Sequence, residues 1–197
     1  RGWGGARPRR FFLAWGPAGQ PRGAPAPATA RIARRCGGRP VPEANLHVTL
    51  AFLGSVPEPR LKELSAIARR TAAIFPRDGV PLTVSLEALA HWAKPQVLTV
   101  LEREEETRVA PASGVEELAR ILTSETAAAG FSPDLKPFRA HVTVARKVAR
   151  VPRASAMRKV HWHFDAFALV ESRTLAAGPV YSVVESYALG DAEKVRT

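Results

Sequence analysis

Two of the five histidines, His47 and His141, stand in the same short setting. Residues 47–50 read His-Val-Thr-Leu and residues 141–144 read His-Val-Thr-Val. On an extended strand, side chains two apart point to one face. His47 therefore projects with Thr49, and His141 with Thr143, while Val48 and Val142 point into the opposite, buried layer. A lone His-x-Thr fixes only two positions and would ordinarily be a strand residue. Two copies, both in predicted strands, are harder to assign to chance. Facing each other across a groove, they present two imidazoles and two hydroxyls. Imidazole titrates near neutral pH, so one ring can take a proton while the other gives one. That pair suits in-line displacement at phosphorus, where an attacking water needs a base and a departing oxygen needs an acid. The threonine hydroxyls suit the non-bridging oxygens, on which charge builds in the transition state. This scheme uses neither metal nor cofactor. His161, His163 and Asp165 suggest an alternative metal-binding face, but no further ligand pattern accompanies them.

The elements that must position these residues follow from hydrophobic period and punctuation. Arg10 to Trp15 is an apolar run expected as a buried strand. Residues 16–27 are dense in Pro and Gly and predict a loop, with a short helix over 28–35 and a second loop over 36–44. Asn45 to Leu53 predicts a strand ended by Gly54. From Glu58 to Phe75, Leu61, Leu64, Ile67, Ala68 and Ala72 recur at helical spacing, and Pro76 stops the helix. Strands are predicted over 82–92 and 97–101, around the Lys94-Pro95 turn, and a charged connection over 102–111. A second principal helix is predicted over 115–129, stopped at Gly130. A loop over 131–140 leads into a strand over 141–145. Residues 148–157 read as basic and irregular. Single strands are expected over 160–170 and 180–189. The pattern is α+β, with small antiparallel groups of strands and two principal helices. The echo between HVTLAF at 47–52 and HVTVAR at 141–146 suggests two lobes related by a pseudo-twofold axis.

Bulk properties narrow the function class. A chain of 197 residues fits a single two-lobed domain, with residues 1–9 as a flexible basic leader. The formal net charge of +11 favours a polyanionic partner, with nucleic acid first among candidates. The single cysteine, Cys36, predicts a reducing compartment, hence the cytoplasm. No apolar stretch approaches the roughly 18 residues needed to cross a bilayer, so no membrane partner is expected. Nothing in the sequence demands a protein partner or more than a monomer.

The sequence around both tetrads resembles the RNA 2′,3′-cyclic phosphodiesterase family, also called 2′-5′ RNA ligase-like, of the two-histidine phosphoesterase superfamily. Residues 10–14 (RFFLA) resemble its opening strand, and residues 41–54 (VPEANLHVTLAFLG) its first motif with lead-in. Residues 91–98 resemble its middle hairpin. Residues 130–146, from Gly-Phe-Ser-Pro-Asp to His-Val-Thr-Val-Ala-Arg, resemble its second motif. Residues 169–173 and 178–181 resemble its closing strands. The resemblance implies a two-lobed α+β fold with a central cleft, helices outside, and conversion of RNA 2′,3′-cyclic phosphate ends to 2′-phosphates. Some members also join or reverse 2′-5′ linkages in tRNA fragments. It implies His47 as proton donor to the leaving 3′ oxygen, His141 as proton acceptor from water, and Thr49 and Thr143 as phosphate ligands.

Other residues near the motifs are candidates for substrate contact. Arg139 is two residues before His141 and shares its face if the strand starts early. Arg146 stands at an odd offset, so a regular strand turns it away unless a bulge intervenes. Phe138 is placed to stack on a base or to pack. Phe12 is expected in the core, His91 and Trp92 in hairpin packing, and His161 and His163 on a strand surface. Two features depart from the family: the Pro, Gly and Arg-rich stretch 16–39, and Pro40 where an aromatic residue often stands. The competing function is a non-catalytic RNA-binding module on the same fold, since basic charge alone gives affinity for phosphates.

Overall fold

In the computed structural model, the described residues are 9–16, 26–75, 82–102, 114–153, 156–175 and 178–190. They form β1 (Arg10–Trp15), α1 (Ala26–Arg35), β2 (Arg39–Pro40), β3 (Val48–Ser55), α2 (Leu61–Ile74), β4 (Leu82–Trp92), β5 (Val97–Leu101), α3 (Gly114–Ala128), β6 (His141–Arg146), β7 (Ala156–Phe164), β8 (Ala166–Leu175) and β9 (Gly178–Ala188). The α+β expectation holds, with α1 as a third helix. The expected connection over 102–111 and most of the loop over 16–27 lie outside the described residues.

The strands form one antiparallel sheet in the order β7-β4-β5-β6-β3-β1-β8-β9, with β2 beside β6. Its two halves repeat one another. In the first, β1, α1 and β3 run in sequence and β1 pairs with β3; in the second, β5, α3 and β6 do the same. The halves meet where β3 and β6 share a single registered pair, Val48 with Val142. These are the equivalent residues of the two tetrads, so the local twofold axis passes through that pair.

Helical spacing explains what covers the sheet. On α2, Leu64, Ile67, Ala68, Thr71 and Ala72 are buried, and on α3 Val115, Leu118, Ala119, Leu122 and Thr126 are. These faces close on one side of the sheet over Leu13, Val48, Leu50, Leu98, Val100, Val142 and Val144. Arg60 ties the two helices together: it donates to the carbonyls of Ala129 at 2.6 Å and Gly130 at 3.2 Å, where α3 ends, and lies 3.9 Å over the ring of Phe131. A cation there complements the negative end of the helix dipole. A separate small cluster of Phe12, Ala14, Ala168 and Val170 packs on the opposite face, which is the cleft face.

Two expectations are corrected. The single strand expected over 160–170 is two strands, broken at Asp165. β7 ends beside β4 in one half of the sheet, and β8 begins between β1 and β9 in the other. Apolar residues alternate up to the break and continue past it, because both strands bury residues, so periodicity gave no sign of it. Arg9, expected in the flexible leader, is instead held in place. That side chain makes a two-pronged bond to the buried Glu171 on β8, at 2.6 and 2.9 Å, and Arg173 donates to the same carboxylate at 2.6 Å. Residues 1–8 lie outside the described residues.

Hydrogen bonds from Arg9 and then Arg173 hold the Glu171 carboxyl down at about 2. A depressed carboxylate stabilises the fold above its unfolded pKa, near 4.5, and this contribution is lost as pH falls toward 2. Glu171→Gln is therefore expected to cost about 1–3 kcal/mol at pH 7. In urea titrations the gap from wild type should close progressively below pH 4.5.

Candidate active site

The tetrads sit as strand periodicity requires. His47, Thr49, His141 and Thr143 are half-buried on the cleft face, while Val48, Leu50, Val142 and Val144 are buried in the core. Carrying the antiparallel register one residue out from the Val48–Val142 pair sets each histidine level with the other tetrad's threonine. Two imidazoles and two hydroxyls thus converge on one patch.

Each imidazole is held the same way. His47 Nδ1 is 2.8 Å from the carbonyl oxygen of Asn45, and His141 Nδ1 is 2.8 Å from that of Arg139. A carbonyl can only accept, so each Nδ1 carries a proton. The neutral rings therefore present Nε2 as an acceptor, and the protonated rings present it as a donor. The orienting oxygen comes from the backbone two residues upstream. His47 therefore depends on the short 3₁₀ turn Glu43–Asn45 that precedes β3, and the expected strand start at Asn45 is too early.

A bulge repeats in both tetrads and decides what else faces the cleft. Along β5, Leu98 pairs with Ala145 but Thr99 pairs with Thr143, so β6 carries an extra residue at Val144. Along β1, Leu13 pairs with Ala51 but Ala14 pairs with Thr49, so β3 carries one at Leu50. An extra residue reverses the alternation beyond it. Arg146 accordingly returns to the face of His141, and Phe52, its counterpart, to that of His47. Arg146 Nη2 donates to the Tyr181 hydroxyl at 3.0 Å. Tyr181 is on β9, four strands away from β6 in the sheet order. The sheet is therefore curved enough for its two halves to touch across the cleft.

Aromatic rings wall both histidines. His47 lies against Phe12, with ring centres 5.0 Å apart, and edge-on to Tyr181 at 5.1 Å. His141 lies 4.9 Å from Trp92. Phe12 is buried, as expected, but in the cleft-face cluster rather than the main core. Trp92 belongs to the site, whereas His91 turns away and bonds the Val148 carbonyl at 3.0 Å. Tyr181 was not singled out by sequence reasoning. Its only signal there was its place in a closing-strand motif. Gly16 was missed as well. Its φ of +130° and its fit against His47 explain it, because a Cβ there would meet the Leu46 carbonyl at 2.5 Å and the His47 Cα at 3.0 Å.

The remaining candidates are less central. Phe138 is half-buried and packs against the main core. Arg139 contributes its carbonyl to His141, while its side chain is exposed. His161 and His163 bond Ser85 and Thr83 across β4 and β7, at 2.9 and 2.8 Å. Among the described residues no cluster of three His, Cys, Asp or Glu side chains is placed to hold a metal ion.

The electrostatics single out His47. Burial lowers its pKa first, and the charges of Arg146 and His141 lower it further; the Asn45 carbonyl works in the opposite direction. A cavity of about 470 Å³ opens beside the Tyr181–Arg146 contact, with Arg39, Lys147, Pro42 and Pro95 in its walls.

Twofold-related His-x-Thr strands on one face of a curved antiparallel sheet define a two-histidine phosphoesterase type of site. The chain belongs to the LigT-like phosphoesterase family, whose model, LigT like Phosphoesterase, matches residues 21–97 and 109–181. A relative from Thermus thermophilus, named RNA 2′,3′-cyclic phosphodiesterase, is 33% identical over 167 residues, covering 78% of this chain and 76% of that one. The Escherichia coli K12 protein of the same name is 36% identical over 109 residues, 55% of each chain. Among solved structures, Escherichia coli LigT complexed with 3′-AMP superposes with a TM-score of 0.68 at 27% identity, over 93% of this chain and 99% of that one. TT0787 of Thermus thermophilus gives 0.67 at 28% identity, over 92% and 98%. Among the described residues, no helix is long and apolar enough to cross a membrane.

The site makes a prediction independent of any substrate. In the free protein, NMR titration should place the His47 midpoint below the ordinary 6.5 of histidine. Arg146→Gln should raise that midpoint without restoring it fully, because burial outweighs the arginine charge.

Proposed function

We propose that this protein hydrolyses RNA 2′,3′-cyclic phosphate ends to 2′-phosphates by metal-independent acid and base catalysis between His47 and His141. The observation that carries the proposal is the matched pair of imidazoles, each held by a backbone carbonyl at 2.8 Å so that Nε2 faces the shared cleft. The names of the relatives support the substrate class. A non-catalytic RNA module gives no reason for both rings to be fixed in one tautomer.

In this mechanism a water oxygen forms a bond to phosphorus while the bond to the ribose 3′ oxygen breaks. The water proton passes to Nε2 of neutral His141. Nε2–H of protonated His47 supplies a proton to the departing oxygen, which becomes the 3′ hydroxyl. Thr49 and Thr143 donate to the non-bridging oxygens, and Arg146 adds a positive charge. Catalysis leaves the two histidines with exchanged protonation, and solvent resets them. With a 5′ hydroxyl in place of water, the same pair joins a 2′,3′-cyclic end to that hydroxyl as the 3′ oxygen leaves, and the reverse step regenerates the cyclic phosphate, so reversible 2′-5′ ligation is a side activity. Water at high concentration makes hydrolysis the main direction. The partner class is RNA with cyclic ends, tRNA fragments among them. The two lobes hold both tetrads in one chain, so no protein partner is needed. The lone thiol Cys36, buried and free, suits the cytoplasm.

His47→Ala and His141→Ala are each expected to lower kcat by about 10²–10⁴-fold on a cyclic-ended RNA, assayed in EDTA with the fold checked by circular dichroism. Full activity in either folded variant would sink the mechanism. Phosphatase mapping of the product should find a 2′-phosphate.

The pH profile tests the participation of His47. A proton donor must start protonated, and the free enzyme's His47 is protonated only below its depressed pKa. With an acid and a base both titrating, kcat/KM should be bell-shaped, and one limb, set by His47, should have a midpoint below 6.5. The midpoint for kcat should lie higher, because bound phosphate favours the imidazolium. A profile with no limb below 6.5 would remove His47 from the catalytic pair.

A further inference from the structure

A basic shelf runs away from the active site, and neither the acid–base chemistry nor the tetrads account for it. It is built from two chain segments that lie antiparallel. β2 pairs Arg39 with Arg146. Beyond that pair, Gly38 fits tightly against Val148: a Cβ at Gly38 would meet the Val148 Cγ2 at 2.7 Å and the Ala33 carbonyl at 3.2 Å. Further on, the Arg150 N–H donates to the Cys36 carbonyl at 3.3 Å. The end of α1 and the segment 146–153 are therefore fixed side by side.

This shelf carries Arg31, Arg34, Arg35, Arg39, Arg146, Lys147, Arg150 and Arg153, and residues 26–41 and 146–153 contain no acidic residue. All of these cations are exposed except Arg146, which is half-buried. Among the described residues none of the eight is in an ion pair with a carboxylate. Like charges directly opposite on paired strands oppose folding, and Arg39 faces Arg146 in this way. A local arrangement that works against the fold marks a surface shaped for a ligand.

The relief along the shelf fits a chain of nucleotides. The cavity of about 470 Å³ beside Tyr181 holds Arg39, Arg146 and Lys147 at its wall, next to His47. A second cavity of about 590 Å³ lies between α1 and the 150–153 segment, lined by Ile32, Arg35, Cys36, Arg150, Val151 and Arg153. Each has the size of a small-molecule site, and each combines apolar walls with cations. The first is walled by Tyr181, whose ring contacts His47, and the second lies farther along the same two segments. An anion that enters at His47 and extends along this strip must be a polymer with regularly repeated charge.

We propose that the shelf binds the phosphate backbone of single-stranded RNA on the 5′ side of the cyclic end, making this enzyme selective for RNA termini over cyclic mononucleotides. The inference rests on the proposed activity at the two histidines. Phosphate contacts supply salt-sensitive affinity without reading sequence, so selectivity by length rather than by base is expected.

The test uses the full chain and a series of cyclic-ended RNAs of one, two, four, eight and twelve nucleotides. It compares wild type with Arg35→Gln/Arg150→Gln/Arg153→Gln, whose residues lie outside the catalytic cleft. In wild type, kcat/KM should rise at least tenfold from one nucleotide to the plateau. That rise should shrink as salt increases, with a slope near −0.7 per phosphate contact. The triple variant should keep wild-type turnover of the mononucleotide and lose most of the length dependence. No length dependence in wild type, or a length dependence that survives in the variant, overturns the inference. If neither protein turns over any cyclic end, the catalytic proposal fails. The shelf is then judged by fluorescence anisotropy with a twelve-nucleotide RNA lacking the cyclic phosphate. A tenfold weakening in the variant supports it, and equal affinity overturns it.

Discussion

The site depends on a single registered pair between two strands, Val48 of β3 with Val142 of β6. An antiparallel pair has a local twofold axis, and here that axis relates equivalent residues of two similar motifs. Whatever the sequence places one residue away from Val48 is therefore matched across the axis by what it places one residue away from Val142. That is how two ordinary strand histidines come to face one patch of the cleft. The valines anchor the arrangement. Both are fully buried, so sliding either strand by one residue would expose a valine and bury a histidine.

From this pair outward, the fold spends its irregular features on the cleft. Both tetrads carry a bulge just past the threonine, and both bulges keep the aliphatic residues in the core while returning the next side chain to the cleft. The symmetry stops at that side chain. One copy supplies Phe52 and the other Arg146. Arg146 reaches Tyr181 across the cleft and lowers the pKa of His47. A symmetric scaffold thus acquires two histidines in different surroundings.

Rigidity comes from elsewhere in the molecule. Arg60 closes the end of α3 and holds Phe131, and the loop that follows leads into His141. Arg69 on α2 bonds Glu185 on β9, which also takes the Ser65 hydroxyl at 2.7 Å, so the strand bearing Tyr181 is fastened to a helix. Glu171 gathers Arg9 and Arg173 at the end of β1. These contacts join elements far apart in the chain and fasten the walls of the cleft to one another.

The sequence by itself determined the elements with strong local signals. Apolar residues every three or four positions marked α2 and α3, and alternation around His47 and His141 put each histidine with its threonine. The repeated tetrad announced the two lobes, and the net charge pointed to an anionic partner. Tertiary structure decided what local pattern cannot carry. The break at Asp165 is silent in sequence because the strands on both sides bury apolar residues. The orientation of Arg146 depends on a bulge, which is defined only by the partner strand. Tyr181 and Trp92 reach the histidines only because the sheet curves, and Gly16 is constrained by a backbone about thirty residues away. The basic shelf likewise exists only when α1 and the segment after β6 are brought side by side, since its cations are scattered through two stretches over a hundred residues apart. In each case the deciding contact is long-range, and a one-dimensional pattern holds no record of which distant residue will be its partner.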